Sequence, residues 1–308
     1  MNKLKVCLIG FEEGQMEACS AFLKDPRIEI SSGAAFSVRD REELEKIGIK
    51  YYYDLEEMLR TEKPDLVSVF LKTGEKTKIM PKLVEFKVSI LYNEPIADKL
   101  EEAEKISQLV RQQGVLCVPA SDVFFNPSVA FLREQIFENA LGLPVSAFCR
   151  RFIRRGKRYN LAALYMPFIH LTRLLMNSEV KYVYSSITLD EDFGVMNLGL
   201  KNDTTATIAV GFNEVSTYPV DEVTIDVIGT DGVVQIRPNL ASIRVYGNTG
   251  VSWNYWDKIG IDSLIEHFIN LVLGMEQKII DINDELVAIK VIDAARTSAQ
   301  SKTTIEPL

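Results

Sequence analysis

A glycine-bounded turn, two histidines and one dense basic run are where residue type and spacing in this chain could do chemistry. In VCLIGFEEGQ, Val6 to Gln15, an apolar stretch closes on Gly10, Gly14 follows, and a helical pattern begins. That is the outline of a phosphate-binding turn, in which glycine allows the bend and the helix amino end favours an anion. Glu12 and Glu13 stand inside it, where a diphosphate would approach. Two unit charges 4 Å apart interact by about 1 kcal/mol in water and about 4 kcal/mol at an effective dielectric near 20. Either Glu12 or Glu13 takes the anion's place at the helix end, or the turn shifts and still admits a dinucleotide.

His170 lies in LAALYMPFIHLTRLLMN (161–177), a helical pattern apolar on most sides, with Pro167 marking a kink or a helix start. It reads either as a satisfied buried histidine or as an acid/base residue. His267, in SLIEHFINL, reads as a helix residue near the core edge. CRRFIRRGKRYN carries Arg150, Arg151, Arg154, Arg155, Lys157 and Arg158. This run is either a solvated strand edge and loop or a pocket for a carboxylate or phosphate, which arginine grips bidentately. Strand alternation sends Arg151 and Ile153 one way and Arg150, Phe152 and Arg154 the other.

The elements that must position these residues follow from the apolar pattern. Strand-like runs at 5–10, 28–36, 66–71, 88–93 and 115–120 alternate with helical patterns at 14–24, 39–47, 54–61, 75–86 and 99–113. Near-continuous apolar strands separated by helices predict a doubly wound α/β sheet, parallel and covered on both faces. After residue 120 the texture changes. Helices are predicted over 126–142, ending at Gly142, and over 161–177. The strand patterns YVYSSITL, MNLGLKN, TATIAVGF, EVTIDVIG, VVQIRP and SIRVYG then follow without helices between them, which predicts a large, mostly antiparallel sheet. GTDG (229–232) marks a hairpin; helices near 261–274 and 283–299 and a short strand in TTIEPL close the chain. The expected domains are 1–120 and 121–308.

Composition narrows the partners. A net charge of −8 over 308 residues argues against a broad grip on nucleic acid, and no run approaches the length of a membrane span. The N-terminus runs straight into a strand pattern, without the apolar region and cleavage site of a signal peptide. Cys7, Cys19, Cys117 and Cys149 form no CxxC pair and no zinc-finger spacing with histidine. They are expected as buried free thiols in a reducing cytoplasm, with no metal bound.

In order and spacing, YYYDLEEMLRTEKPDLVSVFL, ILYNEPIADKLEEAEKI, YMPFIHLTRLLM and VIGTDGVVQI resemble the Gfo/Idh/MocA oxidoreductases along essentially the full length. The resemblance implies a Rossmann-like N-terminal domain holding NAD or NADP. It implies a C-terminal α/β domain whose open sheet faces the nicotinamide or mediates oligomerisation as a dimer or tetramer. It also implies hydride transfer to or from a sugar, polyol or related small molecule, assisted by a lysine and an Asp/His pair.

Against that pattern, glycines fall due at 10, 12 and 15, and the chain has Gly10, Glu12 and Gln15. The missing second glycine is the one that lets backbone approach a pyrophosphate, so binding is expected to be weak or lost. Gly10, Phe11, Glu12, Gly14, Ser37, Arg39 and Pro95 are the implied cofactor positions. Phe36 or Ser37 stands where an acidic ribose-binding residue is usual, and Ser37 with Arg39 suits the 2′-phosphate of NADP better than a bare hydroxyl. In YNEPIA the family lysine falls on Glu94; in YMPFIHLTRLL the family histidine falls on Pro167 and the aspartate on His170. Glu94 and His170 are therefore the candidate acid/base residues, and Arg151, Arg154 and Arg155 the candidate contacts to an anionic substrate. The rival expectation is a non-catalytic metabolite-binding or regulatory protein on the same fold.

Overall fold

A computed structural model describes residues 3–154, 160–213, 222–238, 242–247, 250–257 and 260–307. The chain divides into two compact units, Met1–Ser121 with Leu264–Leu286, and Asp122–Ser263 with Val287–Leu308. Leu264–Leu286 thus joins the first unit, whereas sequence order alone assigned it to the second.

In the first unit, strands β1 (Leu4–Ile9), β2 (Ile28–Ala34), β3 (Tyr51–Tyr52), β4 (Leu66–Val69), β5 (Ser89–Tyr92) and β6 (Cys117–Pro119) alternate with helices α1 (Gln15–Lys24), α2 (Val38–Lys46), α3 (Leu55–Glu62), α4 (Thr73–Glu85) and α5 (Leu100–Gln113). Among the described residues the strands form one parallel sheet in the order β3-β2-β1-β4-β5-β6. Val6 to Ile9 and Leu66 to Val69 are wholly buried, as central strands covered on both faces must be. The helices end where the sequence signals it: Asp54 caps α3 through the Glu57 N–H, and Gly114 closes α5 in the left-handed region.

The second unit carries helices α6 (Pro127–Phe137) and α7 (Leu161–Leu175) and strands β7 (Pro144–Arg154), β8 (Val180–Ile187), β9 (Phe193–Leu200), β10 (Thr205–Asn213), β11 (Glu222–Gly229), β12 (Gly232–Arg237), β13 (Ser242–Gly247) and β14 (Gly250–Tyr255). Their order is β14-β13-β12-β11-β7-β10-β9-β8, antiparallel except where β10 meets β7. Inward positions such as Ala147, Cys149 and Ile153 are buried, while Phe148, Tyr182, Tyr184, Phe193 and Trp253 leave the opposite face aromatic and partly exposed. Helices α8 (Gly260–Val272) and α9 (Ile282–Ser301) complete the chain.

Several boundaries differ from expectation. Helix α6 stops at Phe137, because Asn139 and Gly142 both take positive φ and turn the chain early. Helix α7 starts at Leu161, where the Asn160 Oδ1 accepts from the Ala163 N–H at 2.8 Å, and it runs through Pro167. Strand β14 gave no clear alternation. In the closing TTIEPL, the expected strand is a bridge between Ile305 and Val183 among the described residues.

Candidate functional site

The strand order of the first unit reverses between β1 and β4, and ligands of doubly wound sheets bind beyond the carboxyl ends of the strands at that point. Gly10 leaves β1 with φ +74°, and a Cβ there would lie 2.5 Å from the Phe70 carbonyl oxygen. Gly14 caps α1 with φ +96°, and its Cβ would meet the Phe70 ring at 2.7 Å. Both glycines are therefore required by the turn itself, which also buries Phe11. The Glu12 N–H donates to the Phe70 carbonyl at 3.0 Å, so position 12 is tied down through its backbone while its side chain is half-buried. Gln15 replaces a glycine whose usual service is close helix-to-strand packing. Its side chain is wholly buried: Nε2 donates to the Ser68 carbonyl at 3.0 Å and Oε1 accepts from Ser68 Oγ at 2.7 Å.

Beyond β2, Ser37 is the cap of α2. Its Oγ accepts from the Asp40 N–H at 3.1 Å, and Asp40 Oδ2 accepts from the N–H groups of Ser37 (2.9 Å) and Phe36 (3.1 Å). The acidic residue nearest the strand end is thus the buried Asp40, which the sequence reading passed over and which is engaged by backbone donors. Arg39 is exposed on the first turn of α2.

The turn after β5 holds Asn93, half-buried Glu94 and a cis bond to buried Pro95. Two groups that sequence reasoning missed converge on it. Lys76 of α4, wholly buried, donates from Nζ to the Asn93 carbonyl and, at 3.0 Å, to Asn93 Oδ1. Glu285 of α9, also wholly buried, accepts from the Tyr92 hydroxyl and the Ile96 N–H. Burial pushes the Lys76 ammonium down to about 8, against the pull of Glu285, Asp98 and Glu94. Burial, reinforced by Glu94, pushes the Glu285 carboxyl up to about 7. Both sit in register with an apolar helix face: Lys76 with buried Met80, Leu83 and Val84, and Glu285 with buried Ile282, Ala288 and Ile289.

In the second unit His170 is buried on α7, the helix that packs against β7 and β10. Strand β7 puts Arg151 on the face of buried Ile153, and Arg150 and Arg154 on the opposite face with Phe152. The Arg150 guanidinium stands 5.8 Å from the Phe152 ring centre, and Phe152 stacks on Phe193 at 5.8 Å. Arg151 and Arg154 therefore do not converge from the strand on one ligand. Arg155, Lys157 and Arg158 lie outside the described residues.

Residues 4–121 match the model of an oxidoreductase family with an NAD-binding Rossmann fold, Gfo/Idh/MocA. No curated protein sequence matches the chain. Among solved structures, a putative oxidoreductase from Thermotoga maritima superposes with a TM-score of 0.84 at 18% identity, covering 98% of this chain and 100% of that one. A levoglucosan dehydrogenase in complex with NADH and levoglucosan gives 0.86 at 15% identity, with 99% and 100% covered. The myo-inositol 2-dehydrogenase of Lactobacillus plantarum gives 0.85 at 14%, with both chains fully covered.

Proposed function

From a chain whose residues 4–121 belong to the Gfo/Idh/MocA oxidoreductase family, we propose an NAD(P)-dependent oxidoreductase of a sugar-like or anionic small molecule, with altered proton-transfer groups. The observation that carries this reading is the retained left-handed turn at Gly10, at the switch point of the parallel sheet and leading into α1. Gly10, Phe11, Gly14 and the amino end of α1 suit a diphosphate; Glu12 does not, and it makes binding weak. Ser37 and Arg39 favour NADP over NAD, and Pro95 lies on the nicotinamide side of the sheet order. When bound, such a cofactor supplies the hydride acceptor or donor.

The chain's own part is proton handling. Ionised Glu94 accepts a hydrogen bond or a proton from a substrate hydroxyl, where the family lysine would donate one. His170 is the second candidate acid/base. Arg151, the basic residue on the Ile153 face of β7, remains the proposed source of contacts to an anionic group; Arg154 lies on the opposite face, and Arg155 lies outside the described residues. The exposed aromatic face of the second sheet supports a homodimer or tetramer, checked by light scattering.

The direct test is titration of the protein with NADH and NADPH by fluorescence. Saturable binding, tighter for NADPH, supports the reading, and no binding of either removes it. The rival, a metabolite-binding protein without turnover, is favoured by Glu94 and Pro167 standing where proton-transfer groups are usual. It predicts ligand-dependent stabilisation without hydride transfer across a panel of sugars and inositols.

A further inference from the structure

The turn after β5 is gripped on both sides by ionisable groups that lie wholly out of solvent. On one side Lys76 holds Asn93 by its carbonyl and by Oδ1. Asn93 in turn ties the end of β5 to the end of β4: its Oδ1 accepts from the Leu71 N–H at 3.1 Å, its Nδ2 donates to the Leu71 carbonyl at 3.1 Å, and its own N–H donates to the Val69 carbonyl at 3.0 Å. On the other side Glu285 holds Tyr92 and Ile96. Glu94 and Pro95 are the two residues between these anchors.

We propose that Lys76 and Glu285 are positioning residues, a coupled cation and carboxylate that together hold the Glu94 turn in place at the carboxyl end of β5. The role in catalysis rests on the oxidoreductase reading above; the clamp itself does not. Both charges are removed from water, which is unfavourable unless each compensates the other and is hydrogen-bonded. Each has hydrogen-bond partners, and both sets of partners lie on the one turn. Pairs of this kind are often less stabilising than apolar side chains of the same size. Their value here is that they fix one short segment from two elements, α4 and α9.

Other ionisable groups act on both. Lys76 is attracted by Glu285, Asp98 and Glu94; Glu285 is repelled by Glu94 and held by Tyr92 and Lys76. The buried Cys117 thiol, pushed up chiefly by burial, also lies within electrostatic reach of Glu285, Asp281 and Lys278. The resemblance puts a lysine at position 94. Here the turn carries a carboxylate, and the cation reaches it from α4.

The experiment uses full-length protein labelled at lysine Cε and at backbone and side-chain amides, titrated from about pH 6 to pH 10 by nuclear magnetic resonance. The Lys76 signal is identified by its loss in Lys76→Arg. It should titrate near 8, with the Asn93 side-chain amide and the Ile96 amide following the same midpoint. In Glu285→Gln the Lys76 midpoint should fall by about one pH unit, because the compensating charge is gone. A Lys76 midpoint near the ordinary lysine value, amides that ignore it, or a midpoint unmoved in Glu285→Gln would overturn the clamp.

A second arm measures NADH affinity. Lys76→Gln should weaken it by about tenfold while Lys76→Arg retains it. Equal affinity in wild type and Lys76→Gln would overturn a role at the site. Absence of both NADH and NADPH binding in the wild type removes the oxidoreductase reading and leaves the titration to decide the clamp.

Discussion

Two turns at the carboxyl edge of the first sheet are built on opposite principles. The turn after β1 has backbone geometry and neutral hydrogen bonds among its anchors: two glycines in the left-handed region, the Phe70 carbonyl accepting from the Glu12 N–H, and the Gln15 amide paired with Ser68. The turn after β5 is fixed by charge, with Lys76 and Glu285 buried on either side of it. The first keeps its path although two of its three expected glycines are gone. The second carries Glu94 where the resemblance implies a lysine, and a buried cation reaches the turn from α4. A sequence can therefore lose a fingerprint and keep the geometry, or keep a segment's outline and rebuild its electrostatics.

The strongest way to break the comparison is to remove one charge from the second turn. Lys76→Met or Glu285→Gln leaves the other group buried without the opposite charge, and should cost about 3 kcal/mol or more in urea unfolding. The double variant should recover much of that loss. Equal, additive losses would mean the two groups are independent.

The same groups should give the second turn a pH signature. Glu285 is raised from 4.5 to about 7, so between those values the folded chain holds a proton that the unfolded chain has released. Its contribution is fully present below pH 4.5 and is lost as pH rises to about 7. Lys76 is lowered from 10.5 to about 8, so above pH 8 the unfolded chain binds more protons and stability rises towards pH 10.5. The pair is least favourable between the two windows. Urea midpoints from pH 5 to 10 should show both slopes, with Glu285→Gln lacking the first and Lys76→Met the second.

At the first turn the informative change is in binding. Glu12→Gly removes a carboxylate and a side chain from the place where backbone would approach a diphosphate. It should tighten NADPH by about tenfold, equivalent to about 1.4 kcal/mol. Tight binding by the wild type, or no gain in the variant, would show that the turn already admits the ligand as it stands.

Periodicity made the scaffold legible. The central strands of the parallel sheet are apolar on both faces, and the antiparallel strands alternate, so both sheets could be read from the chain. The end of α6 was less legible, because Asn139 adopts the left-handed conformation without a glycine to announce it. Strand β14 has exposed residues throughout and so no buried face to mark it. At the site, the glycine turn and Glu94 were visible as departures from a known pattern. Lys76 and Glu285 were not, although each sits in register with an apolar helix face. Residue type overrode position: lysine and glutamate are read as solvated, and only the assembled fold shows what compensates them. In the basic run, the alternation of β7 divides Arg151 from Arg150 and Arg154 as strand periodicity predicts, and Arg155, Lys157 and Arg158 lie outside the described residues.

The smallest expected effect sharpens the contrast best. Ser68→Ala removes the hydroxyl that donates to Gln15 Oε1 at 2.7 Å, deep between α1 and β4. The Gln15 Nε2 bond to the Ser68 carbonyl is a backbone contact and stays. One neutral hydrogen bond is lost, so unfolding should shift by about 1 kcal/mol. Neither partner ionises in the range where Glu285 and Lys76 titrate, so the loss should be the same at pH 5, 7 and 9. A loss that varied with pH would mean that the first turn is electrostatically linked to the second, and that the two were not built independently. A constant loss beside the two slopes of the charged turn would establish that the turn after β1 is held by shape and the Glu94 turn by charge.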